Sequence, residues 1–471
     1  MSSLASVIIP TFNRSALLRE AVDSALAQNY RPLEVIVVDD GSTDDTAELM
    51  AAYGDGVRYI RQANAGVSAA RNHGFSVSKG AFVAFLDDDD RYLPQKIERQ
   101  VAYIQAHPAV GLVHSRYLLG NAAGQVVGRM GLLSEGDVLK ELLHRNFLWM
   151  SAPLIRRDVL EKVGGFDEAL STAADYDLWL RIADAGYPFG CVQEPLGIYR
   201  LQHGSMVTNV ARTEAEVITI LDRYFAQSGH PPELLTLRDE AYTEWRLWFV
   251  RRHYAVGNWD AARRNLSQAL SLNLGITPAT LLDTFYSEAI DERVRDPFAY
   301  VADVFEHLPP EAEFLHPFRP TLLNRIHLAV ALRGYQRPDV AGAREYFAET
   351  LRSHPELAAM KADFVQIATG SALGLPVEAD QYINTVFANL PPAAGELAQL
   401  EARVRSDVAV ARAFEDYHNN TRAAAAALIL SALRARPAWI RNRGVASMLV
   451  KSLPAWFRQA VLPWRRNSAQ S

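Results

Sequence analysis

Two apolar runs in this chain stop abruptly in acid. Val35-Ile-Val-Val38 leads into Asp39-Asp40-Gly41-Ser42, and Ala81-Phe-Val-Ala-Phe-Leu86 leads into Asp87-Asp-Asp-Asp90. A strand that is apolar throughout belongs in a sheet buried on both faces, the usual situation of parallel strands. The neighbouring segments agree. Ala5 to Ile9 and Val57 to Ile60 read as further strands. Leu17, Ala21, Val22, Ala25 and Leu26 recur at helical spacing, and Thr46 to Tyr53 and Gly66 to Lys79 read as helices. Strand and helix in alternation predict an α/β domain with a mostly parallel central sheet covered on both sides. Ligands of such sheets bind beyond the carboxyl ends of the strands, so both acidic clusters are expected to open onto one crevice.

Four consecutive carboxylates need relief. Two unit charges 4 Å apart repel by about 4 kcal/mol at an effective dielectric near 20. Protonation relieves this, and so does a divalent cation. Mg²⁺ and Mn²⁺ prefer oxygen ligands and bind through one or two carboxylates plus substrate phosphates. No glycine-rich phosphate loop or dinucleotide fingerprint is found, so a metal is the natural means of neutralising a diphosphate. The plain alternative is a solvated acidic turn, which calls for polar flanks; the flanks here are Phe82 to Leu86 and Tyr92-Leu93-Pro94. For Asp39-Asp40 the alternative is turn and cap chemistry, which accounts for Ser42 to Asp45 but not for two acids directly on the strand.

With 471 residues and a hydrophobic fraction of 49%, the chain is long enough for two or three domains. We place an α/β domain over residues 1–209 and an all-α domain over 210–471, where the sequence turns rich in Ala, Leu, Arg and Glu. Within the second part, Asp260 to Leu270, Ala341 to Leu351 and Ala423 to Leu433 align through Ala262, Ala343 and Ala425, then Leu266, Phe347 and Ile429, then Leu270, Leu351 and Leu433. This resembles one helix of a tetratricopeptide-like hairpin; three unrelated amphipathic helices are the alternative. From Tyr417 onward there is no Asp or Glu, and Arg422, Arg434, Arg436, Arg441, Arg443, Lys451, Arg458, Arg465 and Arg466 alternate with Trp439, Trp456, Phe457 and Trp464. Such a tail suits an anionic membrane surface, or docks on the acidic remainder of the protein. The net charge of −6 argues against a nucleic-acid partner. The single cysteine, Cys191, points to a reducing compartment. No signal peptide and no run of roughly 18 apolar residues is read, so the expectation is cytoplasmic, with a peripheral position on the inner face of the plasma membrane as the further option.

Several motifs occur in order: Val7-Ile-Ile-Pro-Thr-Phe-Asn-Arg14, Glu34-Val-Ile-Val-Val-Asp-Asp-Gly-Ser-Thr-Asp44, Asn64-Ala-Gly-Val-Ser-Ala-Ala-Arg-Asn72, Phe85-Leu-Asp-Asp-Asp-Asp90, Gly164-Gly-Phe-Asp-Glu168 and Asp175-Tyr-Asp-Leu-Trp-Leu-Arg181. Over roughly the first two hundred residues the chain resembles a family 2 glycosyltransferase with the GT-A nucleotide-sugar-binding fold. The resemblance implies that Pro10, Thr11 and Asn13 line the nucleotide pocket, that Asp40 accepts a hydrogen bond from a uracil ring with Asp39 beside it, and that Arg71 contacts the nucleotide. Asp87 to Asp89 match the acidic D-x-D motif. It implies Asp89 as direct ligand of Mn²⁺ or Mg²⁺, with Asp87 or Asp88 near the ribose and the metal. Asp175 matches the catalytic base. Many relatives have Glu-Asp where this chain has Ala174-Asp175, so either Asp175 suffices or Asp177 shares the task. Tyr199-Arg-Leu-Gln-His203 resembles a segment that brings a basic side chain to the diphosphate or metal, with a structural histidine as the alternative.

These expectations add up to metal-dependent, inverting transfer of a sugar from a nucleotide-diphosphate donor, UDP-linked by family expectation, to a saccharide, lipid-linked or protein acceptor in polysaccharide or glycolipid synthesis. A nucleotide-sugar-binding scaffold whose helical part recruits partners is the competing reading.

Overall fold

The computed structural model of the chain describes residues 3–131, 133–201, 209–272, 275–291, 293–374, 379–418 and 422–452. It contains two compact units, Met1–Leu322 and Leu323–Ser471. The first unit opens with β1 (Ala5–Thr11), α1 (Ser15–Leu26), β2 (Leu33–Asp39), α2 (Thr46–Ala51), β3 (Arg58–Arg61), α3 (Val67–Val77) and β4 (Phe82–Phe85). Strands β3, β2, β1 and β4 lie side by side in that order and are all parallel. This is the alternating α/β sheet read from the sequence. The chain continues through β5 (Arg91–Tyr92), α4 (Lys96–Ala106), β6 (Leu112–Gly120), β7 (Val126–Arg129), α5 (Leu139–His144), β8 (Leu154–Arg156), α6 (Arg157–Val163), α7 (Ala174–Asp184) and β9 (Phe189–Arg200). This part makes the sheet mixed. β8 is antiparallel to both β4 and β6, β9 runs parallel to β6, and β5 and β7 add antiparallel pairs.

The apolar strands are divided between two cores by their period of two. Val7 and Ile9 of β1, Val35 and Val37 of β2, and Ala84 of β4 face one side, with Leu18, Ala21 and Val22 of α1 and Ile97 and Val101 of α4. Ile8, Ile36, Val38, Val83 and Phe85 face the other, with Ala70 of α3 and Leu178, Trp179 and Ile182 of α7. Helix α3 approaches the sheet so closely that a Cβ on Gly74 would stand 2.4 Å from Ile8 Cγ2 and 3.1 Å from Val38 Cγ2.

Beyond Val210 the described chain is helical: α8 (Val210–Ala226), α9 (Pro232–Leu235), α10 (Arg238–Ala255), α11 (Trp259–Ser271), α12 (Pro278–Ala289), α13 (Pro297–Glu306), α14 (Arg319–Gly334), α15 (Val340–Ser353), α16 (Lys361–Gly374), α17 (Ala379–Asn389), α18 (Glu401–His418), α19 (Arg422–Ala435) and α20 (Arg443–Ser452). The change from strand to helix thus falls at the compositional shift near 210, whereas the division between compact units falls at 322. Val217, Ile220 and Leu221 of α8 and Trp245 and Phe249 of α10 share the core of Tyr176 and Trp179.

The three aligned stretches are all helices, α11, α15 and α19. Ala262, Leu266, Ala343, Phe347, Leu351, Ala425 and Ile429 are buried, as one helix face packing closely on a neighbour requires. A longer recurrence accompanies them. Starts at Pro297, Arg319, Val340 and Lys361 return 82 positions later at Ala379, Glu401, Arg422 and Arg443. Tyr300-x-x-x-Val304-Phe305-x-x-Leu308-Pro309-Pro310-x-Ala312-x-x-Leu315 returns as Tyr382-x-x-x-Val386-Phe387-x-x-Leu390-Pro391-Pro392-x-Ala394-x-x-Leu397.

Among the described residues no helix is long and apolar enough to cross a membrane. In the basic segment, Arg436 pairs with Asp407 at 3.2 Å and lies over the Trp439 ring, whose Nε1 donates to Ser406 Oγ. This much of the segment is docked on protein; Trp456, Phe457, Arg458, Trp464, Arg465 and Arg466 lie outside the described residues.

Gly74→Ala is expected to lower stability by about 1–3 kcal/mol through overpacking, despite the better helix propensity of alanine. Thermal or urea unfolding of the variant checks this, and an unchanged midpoint would contradict the close packing of α3 on β1.

Candidate active site

The carboxyl ends of β1, β2 and β4 converge because the strands are parallel and in register. Thr11 stands opposite Asp39, and the Asp40 amide donates to the Thr11 carbonyl at 2.9 Å. On the other flank of β1, Thr11 Oγ1 donates to Asp88 Oδ2 at 2.8 Å. Both acidic clusters therefore border one strand end. Pro10 is buried in β1. Asn13 adopts a φ of +54°, a conformation that asparagine tolerates better than most residues. It ties the two loops together: its amide donates to Ser42 Oγ at 2.9 Å, and its Oδ1 accepts from the Thr43 amide at 2.7 Å.

Asp39 and Asp40 are both buried. Asp39 accepts from the Ser42 amide at 2.7 Å and from Tyr59 Oη at 2.6 Å. Asp40 accepts from Gln62 Nε2 at 2.8 Å and from the amides of Ala65 at 2.9 Å and Gly66 at 2.8 Å. A carboxylate has about four lone-pair sites, so Asp40 braces the loop leading into α3 and keeps one site for a further donor.

The four acids after β4 have different fates. Asp87 is half-buried and accepts from Arg71 Nη2 at 2.7 Å, while the Arg71 guanidinium lies over the Phe166 ring. Asp88 and Asp89 share one cation: Arg14 Nη1 stands 3.2 Å from Asp88 Oδ1 and 3.1 Å from Asp89 Oδ2. Burial, reinforced by Asp89 and Asp87 and opposed by Arg14, raises the Asp88 carboxyl to about 7. Burial and the charge of Asp87 also raise Asp89. Asp90 is an anchor. It accepts from Trp149 Nε1 at 2.7 Å, Ser151 Oγ at 2.9 Å and the Arg200 amide at 3.0 Å, and burial with the charges of Asp89 and Asp87 lifts it well above the carboxylate range. Arg200 Nε donates in turn to the Asp89 carbonyl at 2.9 Å.

The chemistry of this donor set fits a divalent cation. One guanidinium serves two carboxylates, and their raised proton affinity marks a crowding of negative charge that a proton or a cation would relieve. Among the described residues no group of three or more His, Cys, Asp or Glu side chains is arranged to hold a metal. Asp87 and Asp89 of the acidic run would offer one carboxylate each, in keeping with an ion such as Mn²⁺ or Mg²⁺ that takes one or two carboxylates and fills its shell with phosphate and water. His203 lies outside the described residues.

Asp175 sits in the first turn of α7, where the helix dipole favours negative charge. Its Oδ1 accepts from the Tyr176 amide at 2.7 Å and its Oδ2 from Asn146 Nδ2 at 3.2 Å. Burial raises its carboxyl to about 6, against the pull of these bonds and of Arg71. Asp177 is committed elsewhere, to Arg181 at 2.7 Å. Arg71, Asp87 and Asp175 line one cavity of about 470 Å³, together with Tyr117, Trp149 and Tyr199 and with Trp245, Trp248 and Arg251 of α10.

Two residues that shape the candidate site escape the sequence. One is Arg14, part of a quoted motif yet unassigned there. The other is Glu216 of α8, whose carboxylate accepts from the amides of Ser171, Thr172 and Ala173 at 2.8–3.1 Å and from both hydroxyls of Ser171 and Thr172 at 2.9 Å. Burial pushes its carboxyl up, but these bonds and Arg212 outweigh it and bring the value down to about 2. Glu216 thereby fixes the turn that delivers Asp175 to the cavity.

Residues 6–164 match the model of the family described as glycosyl transferase family 2. An uncharacterized glycosyltransferase of Rickettsia typhi is 30% identical over 253 residues, which are 51% of this chain and 77% of the relative. A counterpart from Rickettsia prowazekii is 35% identical over the same shares. Among solved structures, residues 1–349 of Staphylococcus aureus TarS in complex with UDP-GlcNAc are 18% identical, with a TM-score of 0.43 over 74% of this chain and 89% of that one.

Glu216→Ala strands three backbone donors, one of them buried, and is expected to cost about 1–3 kcal/mol and to reduce kcat with little change in donor affinity. Because the Glu216 carboxyl is held at about 2, its contribution is present above its ordinary value near 4.5 and is lost as pH falls towards 2. The stability gap between the parent and the variant should therefore narrow on acidification. A gap independent of pH in unfolding titrations would contradict the assignment.

Proposed function

The chain belongs to glycosyl transferase family 2, and from that premise we propose that it moves a sugar from a nucleotide-diphosphate donor to an acceptor hydroxyl with inversion at the anomeric carbon. The observation that carries the proposal is one cavity bordered by Asp87, Arg71 and Asp175. It brings an acid tied to the metal motif, a guanidinium and a carboxylate of raised proton affinity around one space.

The donor nucleotide lies along the ends of β1 and β2, against Pro10, Thr11, Asn13, Asp39 and Asp40, with uracil meeting the free acceptor site of Asp40. Arg71 and Asp87 or Asp88 lie by the ribose and diphosphate. Asp89, with Asp87, would hold Mn²⁺ or Mg²⁺; when bound, the ion neutralises charge on the diphosphate. Arg14, which pairs with both Asp88 and Asp89, would turn its guanidinium towards the donor phosphates once a cation meets these acids.

Asp175 takes the proton from the acceptor hydroxyl. The acceptor oxygen forms its bond to the anomeric carbon as the bond to the diphosphate oxygen breaks, and the nucleoside diphosphate leaves with that electron pair. With one carboxylate assigned as base and none assigned as nucleophile, the reading is a single displacement, hence inversion. A base near 6 combines ionisation at neutral pH with a proton affinity higher than an ordinary aspartate provides, which is what general base catalysis rewards. Asn146 and the Tyr176 amide orient the carboxylate. Ala174 leaves Asp175 as the sole acid facing the cavity from the first turn of α7, since Asp177 is paired with Arg181. The acceptor class is a saccharide, free, lipid-linked or on protein, in polysaccharide or glycolipid synthesis, and the cytoplasm or the inner face of the plasma membrane is the setting.

Donor hydrolysis and transfer should require Mn²⁺ or Mg²⁺. Transfer should rise with pH through about 6 as Asp175 ionises and then level off. Asp175→Asn should lower transfer about 10²- to 10⁴-fold while donor binding by calorimetry stays close to that of the parent protein. A variant that still transfers, or that loses donor binding instead, would contradict the base assignment.

A further inference from the structure

The part of the cavity farthest from the donor motifs is built by the helices that follow the sheet. Helix α10 contributes Trp248 and Arg251, and α12 contributes Thr280 and Thr284. The facing wall is aromatic: Tyr117, Trp149 and Tyr199 form a cluster with ring centroids 5.0–6.0 Å apart. Trp248 is half-buried and braced edge-on by Trp245 and Phe249. Flat faces with fixed orientation suit the C–H faces of a pyranose ring, and a volume of about 470 Å³ falls in the range of small-ligand sites.

The charge along the cavity is uneven. Its acids are Asp87, which pairs with Arg71, Asp175 and Glu244. Its arginine on α10, Arg251, lacks a full counter-charge. Glu288, its nearest acid, lies 3.7 Å from Arg251 Nε, too far for a hydrogen bond, and is engaged by Arg252 Nη1 at 2.7 Å. Asp291, the next acid, is taken by Arg293 at 2.6–2.7 Å, so three guanidiniums share two carboxylates. Arg251 Nη1 donates to Ser287 Oγ at 2.8 Å, which fixes the side chain, while its Nε is buried without a hydrogen-bond partner. Buried donors in folded proteins are nearly always paired. A fixed guanidinium with surplus charge on a cavity wall is the arrangement that recognises a phosphate or carboxylate.

We propose that this cavity is an acceptor subsite for an anionic saccharide, in which Trp248 and the Tyr117–Trp149–Tyr199 cluster hold the ring, Arg251 holds a phosphate or carboxylate on it, and the attacking hydroxyl meets Asp175. The assignment rests on the glycosyltransferase reading, and it explains why α10 packs beside the catalytic turn: the helices after the sheet choose the acceptor.

Isothermal calorimetry on the full chain with glucose, glucose 6-phosphate and glucuronate tests it. At least one of the two anionic sugars should bind about tenfold or more tightly than glucose; the tighter of the two identifies the anion. Arg251→Gln should abolish that preference, and Arg251→Lys, which keeps the charge, should restore part of it, with melting temperatures showing that both variants are folded. Trp248→Ala should weaken glucose and the anionic sugars alike and leave the preference intact. Equal binding of charged and neutral sugars, no binding of either anionic sugar, or a preference that survives Arg251→Gln would overturn the proposal. Wild-type donor hydrolysis, measured separately, reports on the glycosyltransferase reading itself: its absence with the anion preference intact would sink that reading and leave the binding site standing.

Discussion

Carboxylate crowding at the ends of three parallel strands governs the rest of this site. Register places Asp39 and Asp40 on one flank of Thr11 and Asp88 on the other. Such a density of acid is tolerable only because each member is answered differently. Asp40 spends its charge on loop amides, Asp87 on Arg71, and Asp90 on Trp149, Ser151 and the Arg200 amide. What is left is Asp88 and Asp89 against the single guanidinium of Arg14. Desolvation offsets much of the attraction in a partly buried ion pair of this kind. That shortfall of positive charge is what the divalent ion of the proposed function would relieve.

The second constraint is the delivery of Asp175 to the same space. The residue is more than eighty positions away in sequence from the acidic run, and it reaches the cavity through a helix start held by Glu216. That carboxylate takes three consecutive backbone amides ahead of α7, a connection between the catalytic turn and the first helix beyond the sheet. Together with Trp245, Trp248 and Arg251 around the cavity, it brings α8 and α10 to the candidate site. A division by composition near residue 210 and a division by compactness at 322 therefore describe different things: the first marks where strands give way to helices, the second where the unit containing the site ends.

Much of this was legible in the sequence because it is local. Apolar runs of β4 length, acids directly after them and helical spacing between them give the parallel half of the sheet without tertiary information. The mixed half was not legible, since β5 has two residues and β8 three, too short for a period to show. Within Asp87 to Asp90 four identical residues carry no sign of which turns towards Arg71 and which towards Trp149; backbone direction after the strand decides it. Glu216 was invisible for another reason, as its partners lie 43 to 45 positions away. The 82-residue recurrence was in plain sight at Tyr300 to Leu315 and Tyr382 to Leu397, yet the alanine-marked helices revealed only a fragment of it.

The central claim is that Asp89 and the diphosphate of a nucleotide-sugar meet at one cation beside the Asp175 cavity. The most direct measurement is an anomalous-difference map from crystals grown with Mn²⁺ and a non-hydrolysable UDP-sugar. The account expects one strong Mn²⁺ peak at about 2.0–2.3 Å from an Asp89 oxygen, in contact with both phosphates, and the anomeric carbon facing Asp175. A peak bound away from Asp87 and Asp89, or a diphosphate seated on another face of the protein, would contradict it.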